Sequence, residues 1–519
     1  MSNCDACVNY VYDEDEEYYY CDVDLDEDEM YRFLTGTQKE CPYFRADDEY
    51  AVVRNQMLRE EGVGVERLVQ TAEKREKKTM DMTEGSPARI ILLFTVPIIL
   101  GNIFQQLYNI GDAKVVSFFL DEHAFAAVGM TAVVSNMLIG LINGFTQGFG
   151  IQVAHAFGAR DVRRIRRNVA GSAVLAVALT LVLSVLAFAL IERVLVLLHT
   201  PAELMAPALR YVRIILMGIP FSALYNLSAN LLRSLGNSKT PLYCLLSSIF
   251  LNIALDLFLI GVVHMDIEGA AVATVISQAV CGGACFLYGV IRYREYLPGR
   301  EDWKPEEGEY RELFFMGLSM GLMGCIVNIG TIILQSAING LGADIVAAHT
   351  AGRRLLEILM ALTYTYGFTM TTYTSQNIGA GKFERVRQGV RAATCIVTII
   401  SLLSIVFVFL FARPIVSWIA STDIPLIDEN AVMYCRVGVC FFPVLGPLFI
   451  LRCTLQGLGH KVVPLTSSVM EFCIKVGSVF FLVPRLGYLG IALTEPISWT
   501  VMTAMLTVGY IYVVREKSA

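Results

Sequence analysis

The chain has 519 residues, of which 55% are hydrophobic and 17% are charged. A soluble protein of this length folds as three or four domains, but this composition is too apolar for soluble domains. The formal net charge of −7 says little about partners, because much of the acid lies in the first fifty residues. We therefore predict a membrane protein.

Residues 1–80 form an acidic, Tyr-rich extension that contains Cys4, Cys7, Cys21 and Cys41. The chain does not start with a basic segment and an apolar core, so we predict no cleavable signal peptide. A cytoplasmic extension argues against disulfides. A Cys-x-x-Cys pair with two later cysteines is compatible with a zinc or iron site, and unpaired thiols are the alternative. The segment resembles small, uncharacterised Cys-containing bacterial proteins, which implies a fused module.

From Ile90 to Val514, long apolar stretches alternate with short polar turns. Each stretch is long enough to cross about 30 Å of hydrocarbon as a helix. Barrel strands would instead show alternating segments of roughly ten residues. We predict twelve transmembrane helices, at residues 90–117, 124–156, 168–198, 204–234, 240–263, 269–292, 313–341, 345–378, 389–418, 431–457, 463–484 and 489–514.

The two halves of the membrane region repeat each other. Residues 158–169 parallel residues 379–390 at an offset of 221, and later segments match within two residues of that offset. Six spans per unit return the chain to the same side, so the halves are parallel repeats with a cleft between them. We predict an all-α polytopic membrane protein with two six-helix lobes around a central cavity: an N-lobe at 81–292, a linker at 293–312 and a C-lobe at 313–519.

Basic residues concentrate in alternate loops, above all at 158–167 and 382–391. The positive-inside rule places these loops, the linker and both termini in the cytoplasm. We therefore predict a multi-pass protein of the inner cell membrane. Two lobes around a cleft are what alternating access requires, so the repeat favours a transporter over a receptor or a channel.

Polar side chains share one face in two spans of the first half. A carboxylate at the bilayer centre costs about 2.5–3.5 kcal/mol on insertion scales, so each acid here needs a compensating role. Paired carboxylates suit a site for H⁺ or Na⁺, whereas helix packing by buried polar groups is the alternative. The residues are Gln105, Tyr108 and Asp112 in the first span and Ser248, Asn252 and Asp256 in the fifth.

Several segments resemble the MATE (multidrug and toxic compound extrusion) transporters, and most closely the MepA-like bacterial branch. They lie at residues 82–85, 97–112, 235–241, 251–256, 269–274 and 375–381, and the resemblance extends over 82–515. It implies export of organic, often cationic, drug-like compounds in exchange for H⁺ or Na⁺, with no cofactor. The positions that match the family's cation site are Asp112, Asn252, Asp256, Thr274 and Tyr211.

The sequence departs from this family in its second half, where spans seven and ten carry no acid in mid-membrane. Glu357 lies near two arginines instead, and Glu471 precedes Lys475 by one turn. We interpret Glu471 and Lys475 as a structural ion pair rather than a coupling site. The departure makes coupling through the C-lobe doubtful.

Aromatic and Met side chains predict an adaptable substrate wall, with core packing as the alternative for each of them. Together with the polar face of the first span, this wall predicts a substrate cavity. We expect a monomer that contacts the bilayer and small-molecule substrates but no nucleic acid. The predicted cavity residues are Gln105, Tyr108, Tyr364, Phe368 and Met370.

Three other functions are alternatives for a polytopic membrane protein. An ATP-driven pump requires a nucleotide-binding G-x-x-x-x-G-K-[ST] segment, which the sequence lacks. A membrane enzyme is disfavoured because H-E-x-x-H is also missing and the G-x-S-x-G segment at 317–321 lies inside a predicted span instead of following a strand, so we predict no enzymatic activity. A flippase or exporter of lipid-linked oligosaccharide or another lipid is the main alternative, and it predicts a basic cavity instead of an acidic one.

Overall fold

The computed structural model describes residues 10–13, 18–21 and 80–519, apart from 121, 198–199, 305, 307, 421–423 and 519. The chain divides into two units, Met1–Thr79 and Met80–Ala519. In the first unit, β1 (Tyr10–Asp13) pairs with β2 (Tyr18–Cys21) in an antiparallel ladder. Aromatic residues favour such strands. The side chains of the predicted metal ligands Cys4, Cys7, Cys21 and Cys41 lie outside the described residues, so that site stays a prediction.

The second unit is helical. A π-helical segment, Leu257–Val262, continues the fifth helix, and a short 3₁₀ turn, Arg294–Tyr296, follows the sixth. In chain order the α-helices are α1 (Pro87–Phe119), α2 (Glu122–Gly158), α3 (Val162–Leu197), α4 (Ala202–Ser234), α5 (Lys239–Asp256), α6 (Ile267–Arg292), α7 (Glu309–Asn339), α8 (Ala343–Gly379), α9 (Phe383–Ala420), α10 (Pro425–Cys440), α11 (Phe442–Gly457), α12 (Val462–Phe481), α13 (Val483–Leu486) and α14 (Tyr488–Ser518).

Ten of the described helices are long and apolar enough to cross a membrane. The pair α10 and α11, bent by 53°, counts as an eleventh span. A proline at the start of α11 accompanies the break, because proline has no N–H to donate. The remaining long helix, α8, is less apolar because buried Thr, Ser, Gln and Asn line its second half. With α8 included, the described helices match the twelve spans expected from the sequence.

Glycines bring the two lobes into backbone contact where α2 crosses α7. A Cβ added to Gly144 would lie 2.7 Å from Cα of Gly321, and one added to Gly148 would lie 2.6 Å from Cα of Gly317. Small residues allow such close approach between membrane helices. The crossing therefore depends on glycine at both levels of the contact.

A second contact joins the repeated segments themselves. A Cβ on Gly158 would strike the carbonyl of Gln376, and a Cβ on Gly379 would strike the carbonyl of His155. Both pairs of equivalent residues, 155 with 376 and 158 with 379, are separated by the repeat offset of 221. The contact is therefore reciprocal, as a two-fold relation between the lobes requires. We call this end of the bundle the closed end.

Hydrogen bonds strengthen the closed end. Gln376 Nε2 donates to the carbonyl of Ser234 at 2.8 Å, and its Oε1 accepts from the backbone N–H of Met82 at 3.2 Å. The start of α7 is held to the other lobe as well, because Gln152 Nε2 donates to Glu312 Oε1 at 3.0 Å. Arg167 pairs with Glu306 nearby and lowers the pKa of that exposed carboxyl.

Towards the opposite end of the bundle, which we call the open end, the face of α8 that meets α1 is exposed. In the half of α8 near the closed end, Thr369 meets Thr95 of α1 at 2.8 Å and Thr365 accepts from Asn102 at 2.9 Å. The same face of α8 continues at Ala347, Arg354 and Ile358, which are exposed. Residues spaced by three or four lie on one helix face, so the face that meets α1 is uncovered towards the open end.

We expect Gly158→Ala and Gly379→Ala each to destabilise the protein by about 1–3 kcal/mol, because the added methyl strikes a backbone carbonyl that cannot move aside cheaply. Thermal unfolding of the purified protein measures the effect. Gly289→Ala is the matched control, since a Cβ there meets nothing within 4 Å and Ala favours the helix. Equal midpoints for all three variants would show that the lobes do not meet at these glycines.

Candidate functional site

A cavity of about 740 Å³ lies mainly within the N-lobe, between α1, α2, α4, α5 and α6, with α8 on one side. Among the described residues that line it, Arg233 is the only charged one. Nine carboxamides are among the polar side chains that line it, and they offer both donors and acceptors. They are Asn102, Gln105, Asn136, Asn143, Gln147, Asn226, Asn230, Asn252 and Gln278.

Asn252 connects this cavity to a buried acid. It lines the cavity from α5, and Asp256 lies one turn further along the same helix with no exposed surface. With the amide in its bonding orientation, Asn252 Nδ2 donates to Asp256 Oδ2 at 2.9 Å and Oδ1 accepts from the backbone N–H of Thr274 at 3.2 Å. The sequence therefore brings a carboxylate, a carboxamide and the start of α6 into one hydrogen-bonded unit.

The backbone changes its form immediately after the acid. The α-helix α5 ends at Asp256, and the π-helical segment Leu257–Val262 follows. Val263 then donates to the carbonyl of Phe258 at 2.9 Å, five residues back. Such π segments occur frequently at functional sites. No pattern in the sequence predicts this feature.

The other predicted cation-site residues lie close to the same cavity. Tyr211 of α4 and Thr274 of α6 line it, and Tyr211 is buried. Ser248 of α5 donates to the carbonyl of Ser277 of α6 at 3.1 Å, which joins the two helices beside Asn252. Asp112 belongs to α1, but its side chain lies outside the described residues, so its predicted role stays a prediction.

A hydrogen-bonded network occupies the cavity near the closed end. Asn230 Nδ2 donates to Thr146 Oγ1 at 2.9 Å, and Arg233 Nη1 donates to Asn230 Oδ1 at 3.3 Å. These residues were missed in the sequence, because a single amide in an apolar span has no periodic pattern. The occurrence of several amides on separate spans is the signal in the sequence that could have identified this network.

Only some of the predicted substrate-wall residues reach the cavity. Gln105, Tyr108 and Phe368 line the cavity. Tyr364 packs edge-on against Phe368, with ring centroids 5.7 Å apart. It makes a second aromatic contact within the C-lobe. Met370 is fully buried in the core of the C-lobe and does not reach the cavity. Only the first three are therefore in position to meet a substrate in this conformation.

The charged residues predicted in the C-lobe form ion pairs. Lys475 Nζ lies 3.0 Å from Glu471 Oε1 and also donates to Thr331 Oγ1 at 3.0 Å. Arg452 Nη2, which the sequence analysis missed, lies 3.7 Å from Glu471 Oε2. All three charged side chains are buried. This arrangement favours the structural interpretation of Glu471 and Lys475. Glu357 belongs to another cluster, where Arg353 Nε lies 2.7 Å from Glu357 Oε1.

Two family profiles match the sequence. The profile of the MatE family covers residues 97–258 and 320–480, one half of the match in each lobe. A profile described as a domain of unknown function, DUF6472, covers residues 1–57. Between described residues, no group of three or more His, Cys, Asp or Glu is arranged to hold a metal ion.

Several relatives of this chain are named for drug resistance or drug export. A probable multidrug resistance protein, YpnP, of Bacillus subtilis is 27% identical over 76% of this chain and 88% of its own length. The probable multidrug resistance protein YoeA of the same organism is 25% identical over 85% of this chain and 96% of its own. The multidrug export protein MepA of Staphylococcus haemolyticus is 21% identical over 85% and 97%.

Solved structures share the fold. An outward-facing multidrug resistance MATE family transporter of the MOP superfamily aligns with a TM-score of 0.79 and 21% identity, over 85% of this chain and 98% of its own. A MOP superfamily transporter from Pyrococcus furiosus, described as having reverse polarity of its binding pocket, aligns with 0.78 and 22%, over 85% and 99%. These matches confirm the predicted polytopic helical fold with two lobes. The chain belongs to the MATE family of multidrug efflux transporters.

Proposed function

We propose that the protein is a secondary active antiporter, which exports small amphipathic or cationic compounds in exchange for inward H⁺ or Na⁺. It works as a monomer in the inner membrane, with both termini in the cytoplasm. Its membership of the MATE family and the drug-export names of its relatives support this proposal. A two-lobed body with a central cleft supplies the architecture that alternating access needs.

The buried Asp256 is the observation that carries the proposal. Its carboxylate has no exposed surface inside a transmembrane helix, where such a charge costs about 2.5–3.5 kcal/mol. Asn252 donates a hydrogen bond to this carboxylate and also lines the cavity. The amide of Asn252 therefore lies between the acid and a cation that enters the cavity. Carboxylate and carbonyl oxygens suit both Na⁺ and a proton relay.

The cleft suggests the step of the cycle in which the protein is held. The closed end carries the Arg-rich loops predicted to be cytoplasmic, so the cleft opens towards the outside. From there a cation enters the N-lobe cavity and binds at Asp256 and Asp112. Binding rearranges α1 and releases the substrate outwards, and the lobes then rock to release the cation inside.

An exporter of lipid-linked oligosaccharide is the second candidate, and the cavity surface favours it. Carboxamides and the guanidinium of Arg233 match polar, anionic head groups better than they match organic cations. Buried acid beside the cavity favours cations. The two candidates therefore differ in the sign of charge that the substrate carries.

Transport in proteoliposomes tests the coupling site. We expect Asp256→Asn and Asp112→Asn to reduce export of ethidium driven by a proton or sodium gradient at least about tenfold, because each neutral amide removes the charge that binds the cation. The assay imposes each gradient separately and measures ethidium fluorescence.

Asp266→Asn is the matched control, since Asp266 is exposed and pairs with Arg210 outside the cavity. We expect it to export like the wild type. Gradient-driven export that survives in the double variant of Asp112 and Asp256 would reject the site. Lipid-linked oligosaccharide transport without ethidium export would favour the second candidate.

Asn252 and Thr274 contribute different groups to the proposed site, a side-chain amide and a backbone N–H. Asn252→Ala removes the amide that binds Asp256, and lost hydrogen bonds to a charged group cost about 1.5–3 kcal/mol. We expect the half-saturating concentration of the coupling ion to rise at least roughly tenfold. Thr274→Ala keeps the backbone N–H that Asn252 accepts from, so its effect is smaller. An equal or larger effect of Thr274→Ala would indicate that the hydroxyl of Thr274 binds the coupling ion.

A further inference from the structure

Near the open end, the C-lobe contains a cluster of polar side chains that the proposed coupling site does not use. We call it the His349 cluster. It brings together three helices that are far apart in sequence. Its members are His349, Arg353 and Glu357 of α8, Tyr434 of α10, and Tyr488 and Glu495 of α14.

Glu495 is the less exposed carboxylate of the cluster, with its side chain 14% exposed. Arg353 Nη1 lies 3.7 Å from Glu495 Oε1, and the hydroxyl of Tyr434 donates to Glu495 Oε2 at 3.4 Å. Lys475 acts on Glu495 electrostatically from α12, but its ammonium is paired with Glu471 at 3.0 Å. Arg353 is therefore the direct counter-cation of Glu495.

Arg353 is shared with a second carboxylate. Its Nε lies 2.7 Å from Glu357 Oε1, and the Glu357 side chain is 48% exposed. Glu357 lies one turn beyond Arg353, close to the uncovered face of α8 that borders the open cleft. The guanidinium of Arg353 therefore pairs with two carboxylates, the mostly buried Glu495 and the more exposed Glu357.

His349 is the neutral partner in this cluster. It is 1% exposed, and its ring packs edge-on against Tyr434 at 4.7 Å and Tyr488 at 6.1 Å. The Tyr488 hydroxyl lies 3.5 Å from Nδ1, whereas Nε2 has no hydrogen-bond partner within the described part of the chain. A buried imidazole nitrogen without a hydrogen-bond partner costs free energy and calls for an explanation.

The cluster by itself has one more carboxylate than cations, and the neighbouring cations Lys475 and Arg452 both face Glu471. Two carboxylates, Glu357 and Glu495, share the single guanidinium of Arg353, and Cys435 and the tyrosines remain neutral around them. A proton on His349 would supply the second cation. Arg353 could then pair wholly with Glu357, while the imidazolium takes its place as the counter-ion of Glu495.

We propose that the His349 cluster is a second proton-binding site, located in the C-lobe and supplied from the open cleft. A hydronium ion gives its proton to an imidazole nitrogen of His349, which forms an N–H bond and leaves water. Arg353 moves from Glu495 towards Glu357 in the same step. This inference deepens the proposed antiport and rests on it, because proton binding serves transport only if the lobes respond to it.

Burial and Arg353 both oppose a charge on His349, whereas Glu495 favours it. Proton uptake therefore requires Arg353 to shift, which couples a binding event to a side-chain movement between α8 and α14. Ion pairs that exchange partners are a recurrent form of switch.

Trp499 provides a reporter that does not depend on transport. It is 4% exposed on α14, one turn after Glu495, whereas Trp303 and Trp418 are 47% and 80% exposed. In a Trp303→Phe, Trp418→Phe background of the full chain in detergent, the emission of Trp499 is titrated from about pH 8.5 to about pH 3, which extends below the usual range of histidines because this imidazole is buried. We expect one sigmoidal transition that His349→Gln abolishes.

The other members of the cluster fix the direction of the shifts. Glu495→Gln removes the favourable counter-ion and lowers the midpoint by about one pH unit or more. Arg353→Gln removes the opposing cation and raises the midpoint. His264→Asn is the control, because His264 is exposed and Asn tolerates its positive φ of 57°. These opposite shifts keep the test decisive even if His349→Gln fails to fold.

Proteoliposome transport separates the two proposals. Proton-driven ethidium export with no Trp499 transition, or with a transition that ignores these variants, would overturn the C-lobe site and leave the antiport intact. A transition with the expected shifts but no gradient-driven export would support the site and contradict the antiport. Both readouts lost together in His349→Gln, with the fold retained, would support the complete proposal.

Discussion

The close approach of α2 to the opposite lobe is the contact on which the other features depend. At Gly144, Gly148 and Gly158 the helix meets α7 and α8 with no side chain between the backbones. Any larger residue would push the lobes apart at this end. The lobes touch there, and both candidate ion sites lie in the half of the bundle away from this contact.

Much of this fold could be predicted from the sequence, because a span of about twenty apolar residues and a repeat offset are both written along the chain. The offset of 221 even marks the two glycines of the closed end, Gly158 and Gly379. It could not show that each glycine meets the other lobe, since a repeat specifies equivalence and not contact. That information lies in the packing of α2 against α8.

The site was only partly predictable, for a related reason. The spacing of Asn252 and Asp256 indicates one helix face, and the structure joins them by a hydrogen bond. Met370 looked similar to Phe368, yet it is buried in the core, because α8 packs on several sides and its apolar pattern does not select one. His349 and Glu495 are 146 residues apart in the sequence and belong to α8 and α14, so no local pattern connects them.

The two lobes share a fold but differ in what fills their equivalent positions. Pro241 of α5 corresponds to Pro464 of α12 at an offset of 223, which aligns Ser248 and Asn252 with Glu471 and Lys475. In the N-lobe these positions carry neutral groups beside a cavity, next to a buried acid. In the C-lobe these positions carry the ion pair of Glu471 and Lys475. The position equivalent to Asp256 is Val479. A C-lobe proton site therefore cannot occupy the position used in the N-lobe, which is why the available charges gather near the open end instead.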